Sequence, residues 1–455
     1  MTLPSSRERR FVLVAILLLG ATTRAGADSV TTAPDSLDLR GCLDTAMSRN
    51  RELIQARERI EEVEGDRIVV RSRFMPNVQL TASYDALRNE RLGDTQDQLA
   101  SKLLLQQRLF EFGPDAASEI ALRSDLRNAV FDYQDKVYEV TSRVWEVFHL
   151  ILLQDEQINL RRSSKAAFEA LLARQEARFE KRLASEEDKL LAELNVLEED
   201  LEINKIIRGQ FRNKMELMRL IGQPIGVELH LRGTLAPFAI DEGQAVQVAV
   251  ARDVQIGISQ QLVDEQRRVV REIGWEYAPD LDVDAGLQDG RRRAGVSVGR
   301  EGDTWGVNME TGFAISEEDR PEDTDEATWS ARIQARIPIF EGGARLGHEA
   351  LQLARLRRLQ ARLRDLRAGV ELQVRQAYQS MLEEQEKLGL QEQRVVIERR
   401  RLEISQLLRD KGQGNEAQLE AVRNQFFSAQ RNLFANQETY ISRQAQLRRL
   451  MGYVE

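Results

Sequence analysis

Histidine and cysteine are almost absent from this chain: three His and one Cys in 455 residues. That leaves no material for a histidine- or thiolate-based metal site and excludes an intrachain disulfide. No Ser-His-Asp grouping, P-loop, zinc spacing or Gly-rich nucleotide fingerprint is present. Acidic residues abound, but on helix faces, so neither an enzyme nor a cofactor or metal is expected. The lone Cys42 occupies an apolar position in a helical pattern and reads as a buried thiol. Proline is also scarce, nine residues in all. Beyond the N-terminus no stretch reaches 18 apolar residues, which excludes a membrane-spanning helix. If the chain enters a membrane, it does so as a β-barrel.

Residues 1–27 read as a leader. Arg7, Arg9 and Arg10 make a basic start, Phe11 to Ala21 an eleven-residue apolar run, and Ala25-Gly26-Ala27 a small-residue cleavage site. Cys42 lies too far downstream to be a lipoprotein acceptor. Loss of four Arg and one Glu takes the net charge from −9 to −12. An acidic exported chain is not a nucleic-acid binder, and its arginines alternate with glutamates along solvated helix faces.

What the chain does contain is two copies of one pattern. Phe74-Met75-Pro76-Asn77-Val78-Gln79-Leu80 is answered by Tyr277-Ala278-Pro279-Asp280-Leu281-Asp282-Val283 at an offset of 203. Arg108-Leu109-Phe110-Glu111-Phe112-Gly113 is answered by Pro338-Ile339-Phe340-Glu341-Gly342-Gly343 at an offset of 230, and Arg219-Leu220-Ile221-Gly222 by Arg449-Leu450-Met451-Gly452 at the same 230. The change of offset puts 27 surplus residues between Pro279 and Phe340. The expected units are 28–240 and 241–455. The first holds helix 36–73, a strand hairpin 77–110, and a helix pair from Asp115 to about Arg182 and on to Leu220. The second holds helix 241–273, strands 279–340, helix 344–410 and helix 415–450. Pro114 suits the first turn of a helix.

Val137, Val140, Val144, Val147, Ile151 and Ile158 follow heptad-like spacing. So do Val374, Met381, Leu388, Val395 and Leu402, a second series at Leu390, Ile397 and Ile404, and Leu419, Val422, Phe426, Ala429 and Leu433. Seams of this length demand partner helices along a rod. The strand segments alternate: Val78, Leu80, Ala82 and Tyr84 against Gln79, Thr81, Ser83 and Asp85; Trp305, Val307, Met309 and Phe313 against Gly306, Asn308, Glu310 and Gly312; Ala331, Ile333 and Ala335 against Arg332, Gln334 and Arg336. One apolar and one polar face suits a strand between lipid and a wet lumen, or a half-buried sheet in a soluble domain. The leader and the acidic stretch Glu317 to Glu326 favour the first. Two strands per repeat give about four per chain, too few to close a barrel, so a membrane-spanning form must oligomerise.

The segment Pro338-Ile339-Phe340-Glu341-Gly342-Gly343 with Arg345, the Phe74-Met75-Pro76 junction, the closing Leu447-Arg448-Arg449-Leu450-Met451-Gly452 and the opening Leu43 to Leu53 resemble the outer membrane efflux proteins, the TolC-like family, over nearly all of the mature chain. The resemblance implies a mainly α protein with membrane β structure. It would be a homotrimer whose helices form a long α-helical barrel, or coiled-coil tunnel, across the periplasm, with a shared transmembrane β-barrel of twelve strands, four per chain, in outer-membrane lipid. It also implies a passive conduit for efflux or type I secretion, joined through a periplasmic adaptor to an inner-membrane pump of RND or ABC type. The docking tips would be Lys181, Arg182, Leu183, Ala184 and Ser185, and, at the matching place in the second repeat, Lys411, Gly412, Gln413, Gly414 and Asn415. The strand–helix junctions would be Pro76, Gly113, Pro114, Pro279, Pro338, Gly342 and Gly343.

Two features depart from the family pattern. Where some relatives carry two aspartates beyond the second tip, this chain has Gln418 and Ala421, with Glu416 and Glu420 nearby. The surplus residues are the other: Pro279 to Arg300 reads as an extra hairpin or part of a longer strand, with Asp280, Asp282 and Asp284 on one face. A soluble periplasmic coiled-coil scaffold or adaptor is the competing expectation.

Overall fold

A computed structural model describes residues 37–89, 94–111, 117–226, 229–234, 240–274, 278–289, 292–301, 304–316, 327–337, 339–340 and 342–453. The expected leader, the acidic stretch Glu317 to Glu326, and Gly113, Pro114 and Pro338 lie outside these residues.

The first repeat runs α1 (Leu39–Arg49), α2 (Arg51–Ser72), β1 (Asn77–Asn89), β2 (Asp94–Glu111), α3 (Ala117–Glu180) and α4 (Glu186–Leu220). The second runs α5 (Glu242–Arg252), α6 (Val254–Glu272), β3 (Asp280–Asp289), β4 (Arg292–Glu301), β5 (Thr304–Ser316), β6 (Thr328–Arg336), α7 (Ala344–Asp410) and α8 (Glu416–Leu450). The single helices expected at 36–73 and 241–273 are each broken in two, for a local reason. Asn50 turns its carboxamide oxygen on the backbone N–H groups of Glu52 and Leu53, capping α2, and donates from Nδ2 to the Leu220 carbonyl at 2.8 Å. Asp253, its equivalent in the second repeat, caps α6 by accepting from the Ile256 N–H at 2.8 Å. A side chain that satisfies orphan donors at a helix start ends the preceding helix there.

α3 and α7, with 64 and 67 residues, are each about 100 Å long. Near the tips the helices lie in a row α4–α3–α8–α7, and nearer the sheet in a row α2–α3–α6–α7. The seams lie where these rows close, except the series at Leu390, Ile397 and Ile404, which stays exposed. Val137, Val140, Val144, Val147, Ile151 and Ile158 are all buried. In one cluster Cys42, Ala46, Val144 and Leu217 meet; in the other, Ala245, Ala249, Val374 and Leu447 do. Each member of the second stands at one of the two repeat offsets from its mate in the first, so both repeats bury the same positions. Cys42 stands where the other copy has Ala245. Burial, helped by Asp38, pushes its thiol up to about 12, so at neutral pH it is an inert apolar group.

Among the described residues, six strands form one antiparallel sheet in the order β1-β2-β5-β4-β3-β6. This corrects the expectation of four strands per chain. The register shows where the extra pair comes from. β1 pairs with β2 through Asn77↔Gln106 and Leu80↔Leu103. β3 pairs with β6 through Asp280↔Arg336 and Val283↔Ile333. Shifting the first partner by the smaller repeat offset and the second by the larger converts one register into the other, so β3–β6 is the copy of β1–β2. The surplus residues fall between β3 and β6, as β4 and β5.

Candidate docking tips and channel wall

Both tips are the same turn. Arg182 and Gly412, equivalent positions in the two repeats, are in the left-handed region with φ of 58° and 72°. In the first tip the Arg182 N–H donates to the Phe179 carbonyl at 2.8 Å and the Leu183 N–H to the Arg178 carbonyl at 2.7 Å. In the second, the Gly412 N–H donates to Arg409 at 2.8 Å and the Gln413 N–H to Leu408 at 2.9 Å. These bonds satisfy the last carbonyls of α3 and α7. The next helix starts on a cap in each case. Ser185 and Asp188 form a reciprocal capping box on α4, and Asn415 accepts from the Ala417 N–H on α8. Around these turns Lys181, Arg182, Leu183, Lys411, Gly412 and Gln413 are exposed, and Ala184 and Gly414 half-buried. Gly414 is tight, since a Cβ there would meet the Arg409 nitrogen at 2.9 Å. Gln418 and Ala421 are exposed on the first turns of α8, while Leu419 between them is buried.

At the other end, Pro76 and Pro279 stand immediately before β1 and β3, where a missing N–H costs the ladder nothing. Gly342 and Gly343, at φ of 62° and 87°, turn the chain into α7. Arg300, buried at the foot of β4, reaches the Ala278 carbonyl and the Asp280 carboxylate and pins this junction.

The sheet has two unlike faces. Register partners run Val78–Leu105–Met309–Val296–Ala285–Ala331 across all six strands on one side. Leu80, Leu103, Val283, Leu287, Trp329 and Ile333 extend this apolar face, and all are exposed. It carries a depression of about 580 Å³ bordered by Leu103, Leu287, Val296, Met309 and Trp329. The opposite face is charged: Lys102 pairs with Glu310 at 2.6 Å, and Asp280 and Asp284 of β3 stand opposite Arg336 and Arg332 of β6. These acid–base partners were the missed signal for β3–β6 pairing: Asp at every second position of 280–284 and Arg at both 332 and 336 are complementary across an antiparallel ladder. So large an exposed apolar surface needs lipid or protein against it.

The helices leave apolar stripes too. Leu190, Leu194, Leu197 and Leu201 on α4 are at least half exposed, as are Leu390 and Ile397 on α7, with Ile404 close behind. The first stripe was not singled out in the sequence, although its 4-3-4 spacing could have shown it. α4 and α7 are the two ends of the four-helix row, and β1 and β6 the two ends of the sheet.

A profile of the outer membrane efflux protein family matches residues 42–223 and again residues 245–453. The chain belongs to the outer membrane efflux protein family. It is accordingly an efflux channel of the outer membrane, extending into the periplasm. No curated protein sequence matches it. Among solved structures, it resembles the outer membrane protein VceC of Vibrio cholerae, at 15% identity and a TM-score of 0.67 over 91% of this chain and 96% of that one. The CmeC outer membrane channel of Campylobacter jejuni gives 15% identity and 0.68, over 91% and 85%. The MtrE outer membrane channel of Neisseria gonorrhoeae, in its open state, gives 15% and 0.64, over 91% and 89%. At such identities the likeness is one of fold, and it covers the long helices and the sheet together.

Proposed function

We propose that three copies of this efflux protein join edge to edge into a continuous channel-tunnel, a passive conduit that carries solutes from a periplasmic adaptor and its inner-membrane pump, of RND or ABC type, to the exterior. One observation carries the reading. The helix rows and the sheet end on the same two sides: α2, α4 and β1 on one, α7 and β6 on the other. Each side carries unsatisfied surface, exposed leucine stripes on the helices and unpaired backbone on the strands. β1 and β6 run in opposite directions, so β6 of one copy can extend the antiparallel ladder onto β1 of the next. Open strand edges are not tolerated in lipid, and closing the ring removes them.

The mature chain divides at 240/241 into two repeats that each supply one docking tip, residues 181–185 and 411–415. A passive conduit does no work of its own, so the pump supplies the energy. Sizing of detergent-extracted protein tests the assembly: a trimer is expected, and a monomer that washes off membranes with salt would instead identify a soluble scaffold. Copurification of the periplasmic adaptor tests the tips. Leu183→Asp and Gln413→Asp should each lose the adaptor while the trimer persists. Full retention by the double variant would remove the docking role.

A further inference from the structure

We propose, resting on the trimeric channel just described, that the barrel of this protein closes with eighteen strands rather than twelve, and that the hairpin β4–β5 is an added wall element giving an outer mouth wide enough for bulky polar solutes. Three copies of a six-stranded sheet make eighteen strands if every strand is in the wall. The repeat register identifies the addition: β3–β6 is the copy of β1–β2, and β4–β5 has no counterpart in the first repeat.

The hairpin lies within the sheet, between the two repeats. β5 pairs with β2 from Gln98↔Ser316 to Glu111↔Thr304, and β4 pairs with β3 from Asp282↔Gly299 to Asp289↔Arg292. The order of strands leaves β2 and β3 separated by both of them. Its chemistry is that of the wall. Val307, Met309, Val296 and Val298 continue the apolar face, while Asn308, Glu310 and Ser297 continue the polar one. The Lys102–Glu310 ion pair, 2.6 Å long, ties the polar face of β5 to that of β2. A hairpin lying free in water would have no use for the apolar centre that Val296 and Val298 form with Val307 and Met309, between Arg292 and Arg300 at the two ends of β4.

Width argues the same way. Four helices at about 9 Å spacing make a row about 36 Å wide. Six strands about 4.8 Å apart and tilted about 40° cover about 38 Å of wall, and four strands only about 25 Å. Six strands therefore continue the helical wall without a taper. The closed backbone ring widens from about 24 Å to about 36 Å. The strand glycines, Gly286, Gly295, Gly299, Gly306 and Gly312, all fall on the polar face by register, so they keep side chains out of the lumen.

Electron cryomicroscopy of the full-length protein in lipid nanodiscs decides the point. The expected image is a three-fold ring of eighteen strands with β5 beside β2. A trimer with twelve strands, β3 beside β2 and residues 292–316 outside the wall, would overturn the proposal and leave the channel reading intact. A particle with no three-fold ring would overturn the channel reading, and this one with it. Two further measurements use intact membranes and planar bilayers. Leu105→Cys with Met309→Cys, register partners on β2 and β5, should crosslink within one chain of the assembled trimer; absence of the bond under oxidation counts against the wall position. Neutral polymers offered from the outer side should enter the wild-type barrel at about 1.5-fold larger diameter than they enter a trimer lacking residues 291–317; equal cut-offs would overturn the widening.

Discussion

Glu199 on α4 and Arg431 on α8 form an ion pair across the two repeats at 3.4 Å. Glu199 is buried, and its second partner is Arg161 of α3 at 3.0 Å. A carboxylate taken out of water is tolerated only while its charge is matched. Arg161→Ala should destabilise the protein by about 2 kcal/mol, less than the full cost of stranding a buried charge because Arg431 remains. Arg431 is more exposed and farther away, so Arg431→Ala should cost about 1 kcal/mol or less. Thermal unfolding of the two variants checks the order, and an equal loss would mean that Glu199 is not held as described.

The tip box makes a prediction about pH. Asp188 is held below the usual carboxylate range, first by the Ser185 hydroxyl and then by the Ser185 backbone N–H. A depressed folded pKa stabilises above the unfolded value and ceases to do so as pH falls through the folded one. Ser185→Ala should loosen the first tip at neutral pH, seen as faster amide exchange in residues 181–190. The difference from wild type should shrink as pH drops through the carboxylate range, leaving the part due to the Asp188 N–H that donates to the Ser185 hydroxyl at 3.1 Å. A difference independent of pH would show that Asp188 takes no part.

Glycines 222 and 452 repeat the same helix stop, at φ of 66° and 58°. Each closes its helix through paired bonds: Gln223 N–H to the Met218 carbonyl in one, Tyr453 N–H to the Arg448 carbonyl in the other. Neither has room for a Cβ. At 222 it would strike the Arg49 carbonyl, and at 452 it would lie 2.8 Å from the Tyr138 ring. Left-handed backbone alone costs a side chain about 1 kcal/mol. Gly222→Ala should lose more than that, because its obstacle is backbone, and more than Gly452→Ala, whose obstacle is a ring that can shift. Urea denaturation of both variants measures the difference.

The two sheet faces predict opposite tolerances at neighbouring positions. Ile333→Arg puts a charge on the lipid-facing side and should cost about 2–4 kcal/mol near the bilayer centre. Gln334→Arg, at the next position, points to the lumen and should assemble normally. The yield of trimer from outer membranes reads both, and equal yields would mean that the faces are misassigned.

The helices were legible because a heptad seam over tens of residues has no other reading: helix 344–410 emerges at its expected limits. The tips were legible because Gly412 and Asn415 are a stop and a start in any helix pair. The breaks at Asn50 and Asp253 were not, because a single polar residue inside an amphipathic run reads as surface until its partner is known, and the partner of Asn50 lies 170 residues away at Leu220. β4 was obscured by composition. Arg292-Arg293 and glycines at 295 and 299 weaken the strand signal, and the fit of Gly299 beside the Asp282 side chain of the neighbouring strand shows only once the two strands are paired. The second seam at Leu390, Ile397 and Ile404 was legible as a seam, but its partner was not, since no helix among the described residues covers it.

That uncovered seam yields the sharpest test of assembly. Leu197 on α4 and Ile397 on α7 are 59% and 58% exposed in the single chain. An isolated helical rod would have little reason to display leucines at 4-3-4 spacing on one edge and a heptad series on the other. If α4 of one copy lies against α7 of the next, both side chains become interior. Leu197→Glu or Ile397→Glu would then bury a charge, at a cost of several kcal/mol per interface, repeated three times around the ring. Either variant should fall from trimer to monomer in detergent while its circular dichroism stays helical, because both side chains are already more than half exposed in the single chain. Val374→Glu, whose wild-type side chain is fully buried within the chain, should instead lose helix content and never reach assembly. A trimer that survives both seam substitutions would mean that the helical edges do not meet.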